Sequence, residues 1–127
     1  MTPRQQDTLI TALRLQQRAA VVGFDWPDVQ GPRAKVEEEL KELDRETGKG
    51  KPEAIEDEIG DLLFAVVNLA RKLGIDPCAA LDQANAKFQR RFEAVRRLAE
   101  QRGIEMGRAT LEQLDRLWDE VKAPRPG

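Results

Sequence analysis

The 127 residues suffice for one domain built on a single hydrophobic core. A formal net charge of -2 argues against a nucleic-acid surface, which needs an excess of positive charge. Histidine is absent, which excludes His-based zinc sites, Ser-His triads and Glu-x-x-His di-iron sites and leaves a carboxylate, a lysine or a metal-bound hydroxide as general base. Charged residues at 35% and aromatics at 5%, with abundant Ala, Leu, Glu and Arg, are the composition of amphipathic helices and predict an all-α protein. The lone Cys78 cannot form an internal disulfide, so a reducing, cytoplasmic setting is expected. The N-terminal stretch lacks an apolar signal core, and the longest apolar run, Leu62 to Val67, is too short to span a bilayer; a soluble chain without a membrane partner is expected.

Leu9, Ile10, Leu13 and Ala20 have helical spacing and predict a first helix from about Pro3 to Ala20, ending before Gly23. The stretch Gly23-Phe24-Asp25-Trp26-Pro27-Asp28 cannot continue it, because Gly and Pro both break helices and Trp26 precedes a proline. Phe24 and Trp26 either fold this loop onto the core or form a wall that stacks on a base. A second helix is expected from about Pro32 to Glu46. It is poor in apolar residues, and Thr47 to Pro52 then reads as a turn.

The third helix, from near Glu53 to about Leu73, carries a broad stripe of Ile55, Ile59, Leu62, Leu63, Val66, Val67, Ala70 and Leu73 and reads as the central one. Asp76-Pro77 is a helix start, and the fourth helix is expected to run to about Arg102 with Leu81, Ala84, Phe88, Phe92 and Val95 inward. Gly103 to Ala109 forms a linker. Thr110-Leu-Glu-Gln113 has the form of a capping box opening a last helix to about Val121, with Leu111, Leu114, Trp118 and Val121 on one face and a frayed tail from about residue 122 to 127.

Chemistry concentrates in two acidic pairs. Glu39 and Glu42, like Glu58 and Asp61, are i and i+3 neighbours on one face of consecutive helices. If the pairs converge they make an oxygen-only site for a hard divalent cation; otherwise Glu37 to Glu42 is a solvated face paired with Lys41 and Arg45. Glu58 and Asp61 beside so apolar a helix need neutralising by metal or by basic residues. Lys87 and Arg91 are either a snorkelling edge or a pair of phosphate donors.

Glu38-Glu39-x-x-Glu42 followed by Glu58-x-x-Asp61 resembles the EExxE…ExxD motif of the MazG-type nucleoside triphosphate pyrophosphohydrolases. The likeness extends to Val22-Gly-Phe-Asp-Trp-Pro27, Lys35-Val36, the run from Glu58 to Ala65, Val67-Asn-Leu-Ala-Arg71 and Ala84-Asn-Ala-Lys-Phe-Gln-Arg-Arg-Phe92, all similar to the family's C-terminal-type catalytic domain. The resemblance implies a four-helix bundle with an additional short C-terminal helix, spanning residues 1–127 as one domain and assembled as a homodimer or higher homo-oligomer. It implies magnesium-dependent hydrolysis of a nucleoside triphosphate between the α and β phosphates, with manganese as a substitute metal. Glu39, Glu42, Glu58 and Asp61 would be metal ligands, with Glu38 an accessory acid. Lys87 and Arg91 would contact the triphosphate, and Trp118 and Lys122 the nucleotide. Without histidine, the proton acceptor would be Glu38 or Glu39, while Phe24, Trp26 and Trp118 would line the base pocket. Two alternatives stand beside this reading: a narrow-substrate relative acting on dUTP, a damaged nucleotide or phosphoribosyl-ATP, and a non-enzymatic helical assembly module.

Overall fold

A computed structural model describes residues 3–123 of the chain. It contains five α-helices and one 3₁₀ turn, with no strand among the described residues, so the all-α expectation is met. The helices are α1 (Pro3–Val21), α2 (Gln30–Lys49), α3 (Pro52–Lys72), α4 (Pro77–Gln101) and α5 (Leu111–Lys122), with the 3₁₀ turn at Met106–Arg108. Contacts group the chain into two compact units, residues 1–80 and 81–127. Lys122 closes α5 instead of fraying, and residues 124–127 of the expected tail lie outside the described residues.

In the first unit, α3 packs against both α2 and α1. Helix α1 stops at Gly23, whose φ of 88° suits a residue without Cβ. There the Gly23 and Phe24 amides donate back to Ala20 and Ala19 carbonyls at 3.0 and 2.9 Å. Asp28 Oδ1 accepts from the Gln30 amide at 2.9 Å, so α2 starts two residues ahead of Pro32. It also runs three residues beyond the expected Glu46, because Gly48 alone is tolerated and termination waits for Gly50 in the left-handed region. Only a two-residue connection then separates α2 from α3, so the helices form a hairpin that brings their acidic faces together.

The stripe expected to be covered on α3 is corrected by the structure. Of its members Val67 is buried and Ile55, Leu62 and Ala70 are half-buried, whereas Leu63 is 62% exposed and Ile59, Val66 and Leu73 are also exposed. The physical reason is that α1 and α2 cover two sides of α3 and leave the third facing outward.

In the second unit, α4 likewise buries Val95 but not Leu81, Ala84, Phe88 or Phe92. Its core is Val95, Ala99 and Leu117, with Leu98, Ile104, Met106, Leu114, Trp118 and Val121 packed around it. The capping box at Thr110 is present, with the Gln113 amide donating to Thr110 Oγ1 at 3.2 Å and the Thr110 amide to Gln113 Oε1 at 2.9 Å. Of the expected inward face of α5, Leu114, Trp118 and Val121 pack on this core and Leu111 does not. Leu117 is the most buried side chain of the helix, while Leu111 is exposed.

Candidate active site

The α2–α3 hairpin brings three of the four predicted carboxylates together. Oxygens of Glu39, Glu58 and Asp61 lie within 4.8 Å of one another. Glu39 is only 6% exposed, which is rare for a glutamate and excludes a fully solvated acidic face on α2. One turn earlier, Lys35 Nζ lies 3.1 Å from Glu39 Oε1 and 3.4 Å from Glu38 Oε1. The hydrogen bond to Glu39, with the charge of Glu38 added, raises the Lys35 pKa. Glu38 itself is exposed and stands outside the three-acid group.

One ammonium cannot balance three converging carboxylates. Burial first, then hydrogen bonding to Glu39 and the charges of Glu39, Asp61 and Glu42, raises the Glu58 pKa. Burial and the charges of Asp57 and Glu39 raise that of Asp61, with Lys35 acting in the opposite direction. Glu58 Oε2 is buried without a hydrogen-bond partner. An orphaned carboxylate oxygen within an all-oxygen donor set fits a hard divalent cation. Glu42 is not among the three: its carboxylate pairs with Arg45, although its charge still reaches Glu58.

Phe24 and Trp26 meet elsewhere in the same unit. They line a cavity of about 540 Å³ between α1, the turn after it and α3, together with Leu15, Gln16, Phe64 and Asn68. Asp25 pins the turn by accepting from Arg71, from Lys72 Nζ at 3.1 Å and from the Trp26 amide at 2.8 Å. The Arg71 hydrogen bond, helped by Lys72, holds the Asp25 carboxyl well below the usual carboxylate range. Trp26 lies flat enough on the first turn of α2 that a Cβ on Gly31 would sit 2.3 Å from its Cε3. Gly31→Ala should therefore swing the indole off α2 and shift its NMR resonance. Its cost in stability should be limited to about 1 kcal/mol, because the gain in helix propensity partly offsets the clash.

The remaining predicted residues lie in the second unit. Lys87 is exposed and Arg91 half-buried, one turn apart on α4. Trp118 of α5 packs on Phe88 with ring centroids 5.6 Å apart, Phe88 stacks on Phe92 at 5.9 Å, and Lys122 is exposed at the end of α5.

Gln16, Asn68 and the Asp25–Arg71 pair carry no motif that assigns them a role from sequence. For Gln16 a signal existed: Leu9, Leu13, Gln16 and Ala20 share heptad spacing, so an amide occupies an apolar register. The pairing of Asp25 with Arg71 spans 46 positions and leaves no local signature.

The family model described as the MazG nucleotide pyrophosphohydrolase domain matches residues 30–96, more than half of the chain and the whole of the acidic hairpin. The chain belongs to this MazG family. It is 44% identical over 114 residues to the nucleoside triphosphate pyrophosphohydrolase/pyrophosphatase MazG of Thermotoga maritima, covering 90% of this chain and 44% of the relative. It is 43% identical over 122 residues to the nucleoside triphosphate pyrophosphohydrolase of Escherichia coli K12, covering 94% of this chain and 46% of the relative. The chain thus spans about half the length of the curated relatives it matches. The matched MazG region holds Glu38, Glu39, Glu42, Glu58 and Asp61, with Lys87 and Arg91 on α4, whereas Phe24, Trp26, Trp118 and Lys122 fall outside it.

Proposed function

We propose that this MazG domain, acting as one catalytic unit over residues 1–127, hydrolyses nucleoside triphosphates between the α and β phosphates to a monophosphate and pyrophosphate. The convergence of Glu39, Glu58 and Asp61 oxygens within 4.8 Å carries this reading. Three carboxylates alone repel a triphosphate, so both fit one site only with divalent cations between them. Glu39, Glu58 and Asp61 would hold magnesium, or manganese as its substitute, and Glu42 would join them on release from Arg45. When bound, such a cation polarises phosphoryl oxygens and lowers the pKa of water.

The chain's own groups bind, orient and move the proton. Lys35 holds Glu38 and Glu39 side by side. Glu39 is committed to the cluster, so Glu38 takes the proton as the oxygen of water bonds to phosphorus and the bridging P–O bond breaks with its electron pair on the leaving oxygen. Lys87 offers a point charge and Arg91 a planar fork, donor chemistry that suits phosphate oxygens. Phe24 and Trp26 are assigned to the nucleoside end, while Trp118 and Lys122 are proposed as nucleotide contacts on the family resemblance alone. The names of the Thermotoga and Escherichia relatives support this substrate class.

A homodimer or higher homo-oligomer is part of the proposal. Its support is the row Ile59, Leu63, Val66 and Leu73, which repeats at i, i+4, i+7 and i+14 along α3 and its C-cap and stays exposed among the described residues. A cytoplasmic setting is part of the proposal; no helix among the described residues is long and apolar enough to cross a membrane.

The test is incubation with each common NTP and dNTP in magnesium or in EDTA, resolving monophosphate plus pyrophosphate from diphosphate plus phosphate. Magnesium-dependent release of monophosphate and pyrophosphate is expected. Diphosphate and phosphate as products, or no turnover of any of them by the folded protein, would overturn the reading.

A further inference from the structure

The cavity beside α1 holds a second unsatisfied buried group. Gln16 is 6% exposed, its Nε2 donates to the Phe64 carbonyl at 2.9 Å, and its Oε1 has no partner. The bond to Phe64 fixes the orientation of the amide, so the unpaired atom is an acceptor. Asn68 on the same wall is fixed in the opposite sense. Its Oδ1 accepts from Arg71 Nε at 3.0 Å, which leaves its NH₂ group as donor. A buried acceptor without a partner is costly in a finished core and calls for a ligand donor.

The chemistry of that ligand follows from the other walls. Phe24, Trp26 and Phe64 offer aromatic surface for a planar group. Arg71, the cation of the cavity, is already neutralised by Asp25, so the cavity does not select an anion. About 540 Å³ is the size of a small-molecule pocket. Position decides the rest. Asp61, Phe64 and Asn68 repeat at i, i+3 and i+7 on one side of α3, so the cavity starts about 4.5 Å and reaches about 10 Å along the axis from the acidic cluster. That is the reach from a bound triphosphate to its own base. The exposed row proposed for oligomer contact lies on the opposite side of α3 and leaves the cavity open.

We infer that this cavity is the nucleobase pocket of the proposed site and that Gln16 and Asn68 determine its specificity, Gln16 accepting from and Asn68 donating to the edge of the base. The inference rests on the acidic cluster being the phosphate site. Every common base presents an adjacent donor and acceptor on its pairing edge: adenine and cytosine an exocyclic amine beside a ring nitrogen, guanine and uracil a ring N–H beside a carbonyl. The pair therefore admits all of them and discriminates against a base from which one of those atoms is missing.

The first experiment compares ATP with purine riboside triphosphate, which lacks the 6-amino donor, in wild type and Gln16→Leu. Wild type should favour ATP in kcat/KM by about tenfold or more, and the ratio should fall to about one in Gln16→Leu. A merely structural role for Gln16 would lower both substrates equally and keep the ratio, which overturns the inference. The second experiment needs neither a variant nor turnover: the wild-type side-chain amide resonances are followed by NMR on adding adenosine or uridine, or magnesium tripolyphosphate. The nucleosides should shift the Gln16 and Asn68 NH₂ signals and tripolyphosphate should not. Unmoved signals at millimolar nucleoside overturn the pocket. Shifted signals without hydrolysis of any triphosphate uphold the pocket and reject the proposed reaction.

Discussion

Glu58→Gln should lower magnesium-dependent pyrophosphate release by about a thousandfold or more while making the metal-free protein more stable. The two effects have one origin. Glu58 sits with Glu39 and Asp61 within 4.8 Å, and one of its oxygens is buried without a partner. The amide removes a negative charge that the fold alone does not balance, and it removes the ligand that a cation needs. The pH dependence gives the sign independently. Burial and neighbouring acids raise the folded-state pKa of Glu58 and Asp61. A raised carboxyl contributes stability that is complete below its ordinary pKa and lost as pH rises through the folded value.

Metal-free wild type should therefore lose stability from these groups as pH rises above the ordinary carboxylate range. Magnesium should restore it over the same window, because proton and metal compete for one site. Asp25 has the opposite sign: held down by Arg71 and Lys72, it contributes stability above the ordinary carboxyl value and loses it as pH falls. Melting curves of wild type and Glu58→Gln, with EDTA or magnesium, separate these effects. An equal magnesium shift in both proteins would sink the assignment of Glu58.

The acidic hairpin was legible because its information is local. Spacing of i and i+3 puts Glu58 and Asp61 on one face, and Gly50 followed by Pro52 sets where α2 ends and α3 begins, so convergence with Glu39 follows from two helices and a short turn. Glu42 shows the limit of the same reasoning. Periodicity placed it beside Glu39, but the rotamer that pairs it with Arg45 is a choice between two partners that spacing does not make. Helix existence and the caps at Asp76 and Thr110 were likewise written in local chemistry.

Burial was less legible, because an apolar stripe states what a helix can cover and not what the chain supplies to cover it. Ile59, Leu63 and Val66 on α3 read as core by pattern and are exposed. Gln16 shows the reverse. A glutamine reads as surface by type and is buried because Leu13 and Ala20 carry its register inward.

Leu117→Ala should be the most damaging substitution in the second unit, costing about 2–5 kcal/mol and lowering the melting temperature by roughly 6–25 °C. Two kinds of contact join α5 to α4, and magnitudes decide between them. Arg102 meets Glu120 in a two-pronged ion pair at 2.7 and 2.8 Å, and each raises or lowers the other's pKa in the direction that favours the pair. Both side chains are nearly half exposed, so water and salt screen the attraction and ordering two long side chains opposes it. Leu117, at 2% exposure, has no such discount. It fills the space between Val95 and Ala99, small residues that cannot collapse onto a void. Truncation leaves a cavity in a core of three fully buried residues, and Trp118 beside it should lose its fixed environment on Phe88. Thermal melts and the near-UV spectrum of Leu117→Ala, Arg102→Ala and Leu111→Ala test the ranking: a large loss for the first with a weakened tryptophan signal, a small salt-sensitive loss for the second, and almost none for exposed Leu111. A loss in Arg102→Ala equal to that in Leu117→Ala would mean that the ion pair, and not burial, holds the last helix in place.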